Sequence, residues 1–106
     1  MSLLCGCGQV EIEPLSTCPQ PYLEHDIDAL QTSILKDVSN RATEGCANRP
    51  YGCSISVPRK TKEGYRVAVF PVAEQTNGQC SYASDTQTYY HYDANGRFLS
   101  KSEGSP

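Results

Sequence analysis

From Leu23 to Glu44 apolar side chains return every three or four residues, at Ile27, Leu30, Ile34, Val38 and Ala42, with Asp28, Gln31, Lys36 and Arg41 between them. At 3.6 residues per turn this spacing lines one face, and it predicts a single long helix. Glu24, Asp26 and Asp28 lie where the positive end of the macrodipole would fall, and Gly45 is placed to close the helix in the left-handed region. Beyond Gly45 the period changes to two. Tyr51, Cys53, Ile55 and Val57 alternate with small or polar residues, the mark of a strand that Pro58 ends. Lys62-Glu63-Gly64 turns the chain into Tyr65 to Ala73. There Val67 and Val69 share one side while Ala68, Phe70 and Val72 share the other, as in a central strand, and Pro71 marks an edge or a bulge near its end. Thr76-Asn77-Gly78 is a turn before Gln79 to Ser84. Thr86 to Tyr92 follows, then Asp93-Ala94-Asn95-Gly96 as a hairpin turn and Arg97 to Lys101 as the last strand. The predicted fold is α+β: one long N-terminal helix packed on an antiparallel sheet of four to five strands.

Upstream of the helix, Pro14, Pro19 and Pro21 interrupt a stretch without period, which reads as an extended tether with Val10 and Ile12 in at most a short strand. The organisation expected is residues 1–22 as N-terminus and tether, 23–101 as the single domain and 102–106 as a C-terminal tail. A length of 106 residues suits one domain. No run approaches the roughly 20 apolar residues of a membrane span. The net charge of −3 is small and points away from a surface that coats nucleic acid. Arg59, Lys60, Lys62 and Arg66 nevertheless gather around one turn. Such charges guard a sheet edge against aggregation, although a basic hairpin tip can also touch phosphates.

Six cysteines are many for a reducing cytosol and ordinary for an exported chain. Cys5 and Cys7, one residue apart between glycines, could clamp a soft metal ion, but such a clamp needs further ligands. The run Leu4-Cys5-Gly6-Cys7 resembles the lipobox of bacterial lipoproteins, with a leucine three places before the modified cysteine and small residues between. On that resemblance Cys7 carries the lipid, Met1 to Gly6 is the remnant of a signal peptide, and the membrane is reached through the N-terminal lipid alone. The chain is then expected on the periplasmic face of a bacterial envelope, or secreted. Setting Cys5 and Cys7 aside leaves Cys18, Cys46, Cys53 and Cys80, an even set without zinc-site spacing that three connectivities could join. Cys46 follows the helix and Cys53 opens the next strand, so both lie near one end. Cys80 returns to that end after two antiparallel strands, and the tether lets Cys18 cross back to it. The layout favours Cys46 with Cys53 and Cys18 with Cys80.

Catalytic chemistry is hard to assemble. His25 sits where a helix begins and reads as a capping residue, whereas His91 lies among tyrosines and is the better candidate for a general base. Phosphate-loop and metalloprotease signatures are absent, and no metal ion or other cofactor is expected. Tyr82, Tyr89, Tyr90 and Tyr92, with His91, are dense enough to form an aromatic binding surface, tyrosine being favoured at interfaces. The competing arrangement places Tyr90 and Tyr92 in the core beneath the helix. Phe70-Pro71-Val72 and the run Tyr90-His91-Tyr92-Asp93-Ala94-Asn95-Gly96-Arg97-Phe98 are similar to the small guanyl-specific fungal ribonucleases and to effectors built on that fold, over about the last 60 residues. The resemblance implies a glutamate before the Phe-Pro step, an arginine in the penultimate strand and a histidine near the end. Here Val69, Gln87 with Thr88, and Lys101-Ser102-Glu103 stand at those places, so a chain of that fold would be inactive. The expectation is a non-enzymatic protein-binding, inhibitor or immunity module with a protein partner, nucleic acid being a poorer fit. The alternative is a secreted ribonuclease-like domain, weakly active or an inactive effector.

Overall fold

The computed structural model describes residue 18 and residues 26–76, 79–82 and 87–104. The tether apart from Cys18, with Cys5, Cys7 and His25, lies outside the described residues. The helix α1 (Ala29–Ala47) starts later than the apolar spacing predicts, because Asp28 and Gln31 form a capping box. The Asp28 carboxylate accepts from the Gln31 N–H at 2.7 Å, and the Gln31 side chain accepts from the Asp28 N–H at 3.0 Å. Two otherwise unpaired donors are thereby satisfied, which fixes the first turn. Gly45 does not end the helix. Cys46, one turn beyond Ala42 on the same buried face, is bonded to Cys53, and that tie carries the helix through the glycine to Asn48. Ile34, Leu35, Val38, Ser39, Ala42 and Cys46 form the buried stripe, with Ile27 and Leu30 packed against its N-terminal end.

Six antiparallel strands follow: β1 (Cys53–Ile55), β2 (Arg59–Lys60), β3 (Gly64–Thr76), β4 (Gln79–Tyr82), β5 (Gln87–Asp93) and β6 (Phe98–Gly104). The extra strand relative to the pattern arises at Pro58, beyond which Arg59 and Lys60 pair separately with Arg66 and Tyr65. At the break, the Ser56 hydroxyl accepts from the Ala68 N–H at 2.9 Å and so stands in for a backbone carbonyl. The last strand also runs further than expected. Ser102, Glu103 and Gly104 pair with Tyr89, Thr88 and Gln87 instead of fraying as a tail.

The 13-residue β3 is the axis of the sheet, whose path runs β1-β3-β5-β6. It pairs with β5 from Gly64 to Val69 and with β4 from Val72 to Thr76. Pro71 sits between these two lengths. The Val72 N–H donates to the Gly52 carbonyl on the β1 side at 3.0 Å, so the N–H that proline lacks would have faced the side where pairing changes from β5 to β4. A register shift between Val72 and Glu74 follows directly.

Because β3 and β5 alternate in register, each side of the sheet has a settled membership. Tyr65, Val67 and Val69 face α1 together with Tyr90 and Tyr92, and all five are buried in the core. One contact ties this face to the helix. The Tyr92 hydroxyl donates to Asp37 Oδ2 at 2.6 Å, and Arg41 Nε donates to the same oxygen at 2.6 Å. The Arg41 guanidinium lies 3.7 Å from the Phe98 ring centroid, and Phe98 meets Tyr92 edge-on at 5.7 Å. The hairpin turn is clamped at the other end of the helix: Gly96 has φ +84°, and a Cβ there would come within 2.6 Å of Leu30 Cδ1.

Two disulfides hold the assembly, Cys18–Cys80 and Cys46–Cys53. The first joins residues 62 apart in sequence, and by the chain-entropy account it contributes roughly 4 kcal/mol, against roughly 2 for the seven-residue separation of the second. Structural bonds of this kind belong to an oxidising, exported compartment. Among the described residues, no helix is long and apolar enough to cross a membrane.

Burial, and then the bond to Asp37, push the Tyr92 phenol well above its ordinary range; burial pushes Tyr90 the same way. A raised folded-state value contributes stability that is complete below the unfolded pKa and is lost as pH rises above it. Stability is therefore expected to hold up to about pH 10 and then to fall, Tyr92 contributing up to about 1.4 kcal/mol per pH unit and Tyr90 adding to the loss in the same direction. Urea unfolding between pH 8 and 11 reads this loss, and Tyr92→Phe should make the fall above pH 10 shallower. An unchanged slope in Tyr92→Phe would contradict the assignment.

Candidate functional site

Among the described residues the helix covers one side of the sheet, and the other, open side is exposed at Arg59 and Arg66 and buried at Ser54 and Val72. Across that open side the register aligns Arg59 of β2, Arg66 of β3, His91 of β5 and Ser100 of β6 in one row perpendicular to the strands. Neighbouring strands lie about 4.8 Å apart, so the row sets two arginines and a histidine on adjacent strands. Both arginines are exposed, and neither forms an ion pair with any described residue. Like charges placed directly opposite each other on a sheet repel. The row is a local concentration of positive charge on a chain whose net charge is −3.

Beside it runs a second row, Ala68, Tyr89 and Ser102. The Tyr89 ring is fixed from three directions. Arg66 stacks over it at 4.9 Å, its hydroxyl donates to Gln87 Oε1 at 2.7 Å, and the ring occupies the space where a Cβ on Gly104 would stand. His91 Nε2 lies 2.9 Å from Ser102 Oγ. Farther along, Phe70 and Tyr82 meet edge-on at 5.2 Å, and the buried Ser54 donates to the Tyr82 hydroxyl at 3.4 Å. The open side thus combines a cationic row with held aromatic rings.

A hollow of about 260 Å³ lies at the His91 end, where Thr61, Glu63, Leu99 and Ser100 join the imidazole. A carboxylate and an imidazole thus both line it. A larger cleft of about 370 Å³ lies on the helix side, lined by Arg41, Arg49, Lys101, Glu44 and Glu103 over the Cys46–Cys53 bond. Its charges are nearly balanced. Among the described residues no three of histidine, cysteine, aspartate or glutamate gather as metal ligands.

The five aromatic candidates therefore divide. Tyr82, Tyr89 and His91 lie on the open side; Tyr90 and Tyr92, 5% and 0% exposed, belong to the core and are removed from the binding surface. The disulfide residues Cys18, Cys46, Cys53 and Cys80 are structural, and Cys7 lies outside the described residues. Arg59, Arg66, Phe70 and Glu63 join the site instead. The alternation already placed Ala68 and Phe70 together, and Arg66 shares their phase; the pairing of Arg59 with Arg66 is a register that one strand alone does not reveal. Val69, where the ribonuclease resemblance implies a glutamate, is 5% exposed and faces the helix, so the carboxylate near His91 comes from the turn residue Glu63.

Relieving the arginine opposition gives a direct check. Arg59→Glu turns a repulsive cross-strand pair into an attractive one and should raise the stability to urea by about 0.5–1 kcal/mol. No gain would mean that the two charges are already neutralised. Comparisons with protein-family models, characterised proteins and solved structures find no match to this chain, and its function is inferred from the chemistry of this face.

Proposed function

We propose that this chain is a non-enzymatic binding module of an exported protein and that the open side of its sheet takes an anionic partner, an acidic protein surface first of all. The observation that carries the reading is the Arg59–Arg66–His91 row, two exposed arginines opposite each other with no ion-pair partner among the described residues and the Tyr89 ring under Arg66. Arginine suits this task because its planar fork matches a carboxylate bidentately and its stem stacks on aromatic faces. The face is preorganised by strand pairing, so little ordering entropy is lost on binding. A poly-glutamate peptide serves as the probe. Binding measured on the immobilised chain should weaken as salt rises, and in the double variant Arg59→Glu/Arg66→Glu it should fall at least about tenfold, the loss expected for charged contacts worth about 1.4 kcal/mol or more. Equal binding by the wild type and the double variant sinks the proposal.

A second reading has its own observation, the hollow that both Glu63 and His91 line, His91 being the strand partner of Arg66. A carboxylate base, an imidazole acid and guanidinium groups for the phosphate are the parts that phosphodiester transfer requires, and aromatic rings beside a cationic row also suit single-stranded nucleic acid. RNA cleavage by the purified chain, lost in both His91→Ala and Glu63→Gln, would favour this ribonuclease-like function; RNA binding without cleavage would favour an inactive effector.

In the first reading Cys7 supplies the anchor, as the lipobox-like run implies, and holds the domain at the periplasmic face of a bacterial envelope. The disulfides agree with that compartment. Palmitate label incorporated in a bacterial host behind an intact signal peptide, and lost in Cys7→Ser, is the expected result. A chain that stays unlabelled there contradicts the anchor.

A further inference from the structure

The path β1-β3-β5-β6 ends in two edges of different character. On one, β1 and β2 offer three and two residues separated by Pro58, too short and too broken to template another strand. On the other, β6 runs for seven residues and, among the described residues, is paired with β5 on one side only. Its irregularity is confined to Leu99, where the register shifts opposite His91 and Tyr92, and Ser100 to Gly104 continue in regular pairing. An edge of this length presents a row of unpaired N–H and C=O groups. No proline blocks it.

Lysine on an edge ordinarily guards against association, but here its charge is answered two residues on. Lys101 and Glu103 are both exposed, stand on the same side of the strand and flank Ser102. Reversing the strand about Ser102 exchanges the two charges. We propose that β6 pairs antiparallel with β6 of a second copy of this chain, Ser102 opposite Ser102, with Lys101 of each copy opposite Glu103 of the other. Moving the pairing by one step either way sets lysine against lysine or glutamate against glutamate, which is repulsive on a sheet. The charges therefore select one register as well as one partner.

The contact is isologous and closes as a two-fold dimer. Its axis stands perpendicular to the sheet, so both helices lie on one side and both open faces on the other. The path β1-β3-β5-β6 becomes continuous with its copy, and the two Arg59–Arg66–His91 rows share one surface. A partner bearing repeated anionic groups would meet two sites at once and gain avidity without any new contact. The dimer rests on β6 alone and stands independently of what the open side binds.

The test is sedimentation equilibrium on the oxidised chain in a Cys5→Ser/Cys7→Ser background, so that intermolecular disulfides play no part. The parent should show a concentration-dependent monomer–dimer equilibrium. Lys101→Glu and Glu103→Lys each make both cross-strand pairs repulsive and should weaken dimerisation by about tenfold or more. Mixing the two variants restores both pairs and should give a heterodimer of near parental affinity, as should the double reversal Lys101→Glu/Glu103→Lys with itself. Circular dichroism shows whether each variant folds, and the double reversal keeps the proposal testable if a single one does not. A parent that stays monomeric at every concentration overturns the proposal. So does a dimer that single reversals leave unchanged, or one that the mixture fails to restore.

Discussion

A single helix can cover only one face of a sheet, and the period of two along each strand converts that constraint into a division of labour. Once Tyr92 is bound to Asp37 beneath α1, the phase of β5 is set: Tyr90 goes inside with it, and Tyr89 and His91 go outside. The β3–β5 register then fixes β3, with Tyr65, Val67 and Val69 inside and Arg66, Ala68 and Phe70 outside. A slip of one residue would bury Arg66 and His91 and expose Tyr92, an exchange of several kcal/mol in the wrong direction. The open face is therefore specified by the same contact that locks the core.

The remaining devices protect that arrangement. Cys46–Cys53 ties the C-terminal end of the helix to β1, and Cys18–Cys80 ties the segment before the helix to β4. Asp28 and Gln31 fix the helix start, while Gly96 lets the β5–β6 turn pack against Leu30. The Cys46–Cys53 bond and the packing of Leu30 at the Gly96 turn thus hold both ends of the helix over the same side of the sheet. What the fold spends its cross-links on is position, and the opposite face inherits rigidity from it. That rigidity explains how two arginines can be kept facing each other despite their repulsion, a local strain of the kind that a ligand of opposite charge relieves.

Much of this was legible in the chain. The helical face, the alternation of the strands, the Asp93–Gly96 turn and the two cysteine pairs all follow from local spacing or from simple layout. The helix boundaries were harder: Asp28-x-x-Gln31 is a capping signal, but acidic residues upstream compete with it, and Gly45 looks like a stop until the Cys46–Cys53 bond is known. Alternation in Thr86 to Tyr92 separates two sets of tyrosines without saying which is buried, since both sets are aromatic. The arginine row was illegible for a different reason. It exists only in the pairing of β2, β3 and β5, a non-local property, and the basic residues near the turn divide between faces, with Lys60 opposite Tyr65 on the helix side while Arg59 and Arg66 face out.

The most direct measurement is a two-dimensional NMR titration of the isotope-labelled, oxidised chain with the poly-glutamate peptide, following backbone amides together with the arginine and histidine side-chain signals. The account predicts shifts that cluster at Arg59, Arg66, Tyr89 and His91 and leave the helix unperturbed. Shifts confined to the helix-side cleft around Arg41, Arg49 and Lys101, with the open face silent, would contradict it.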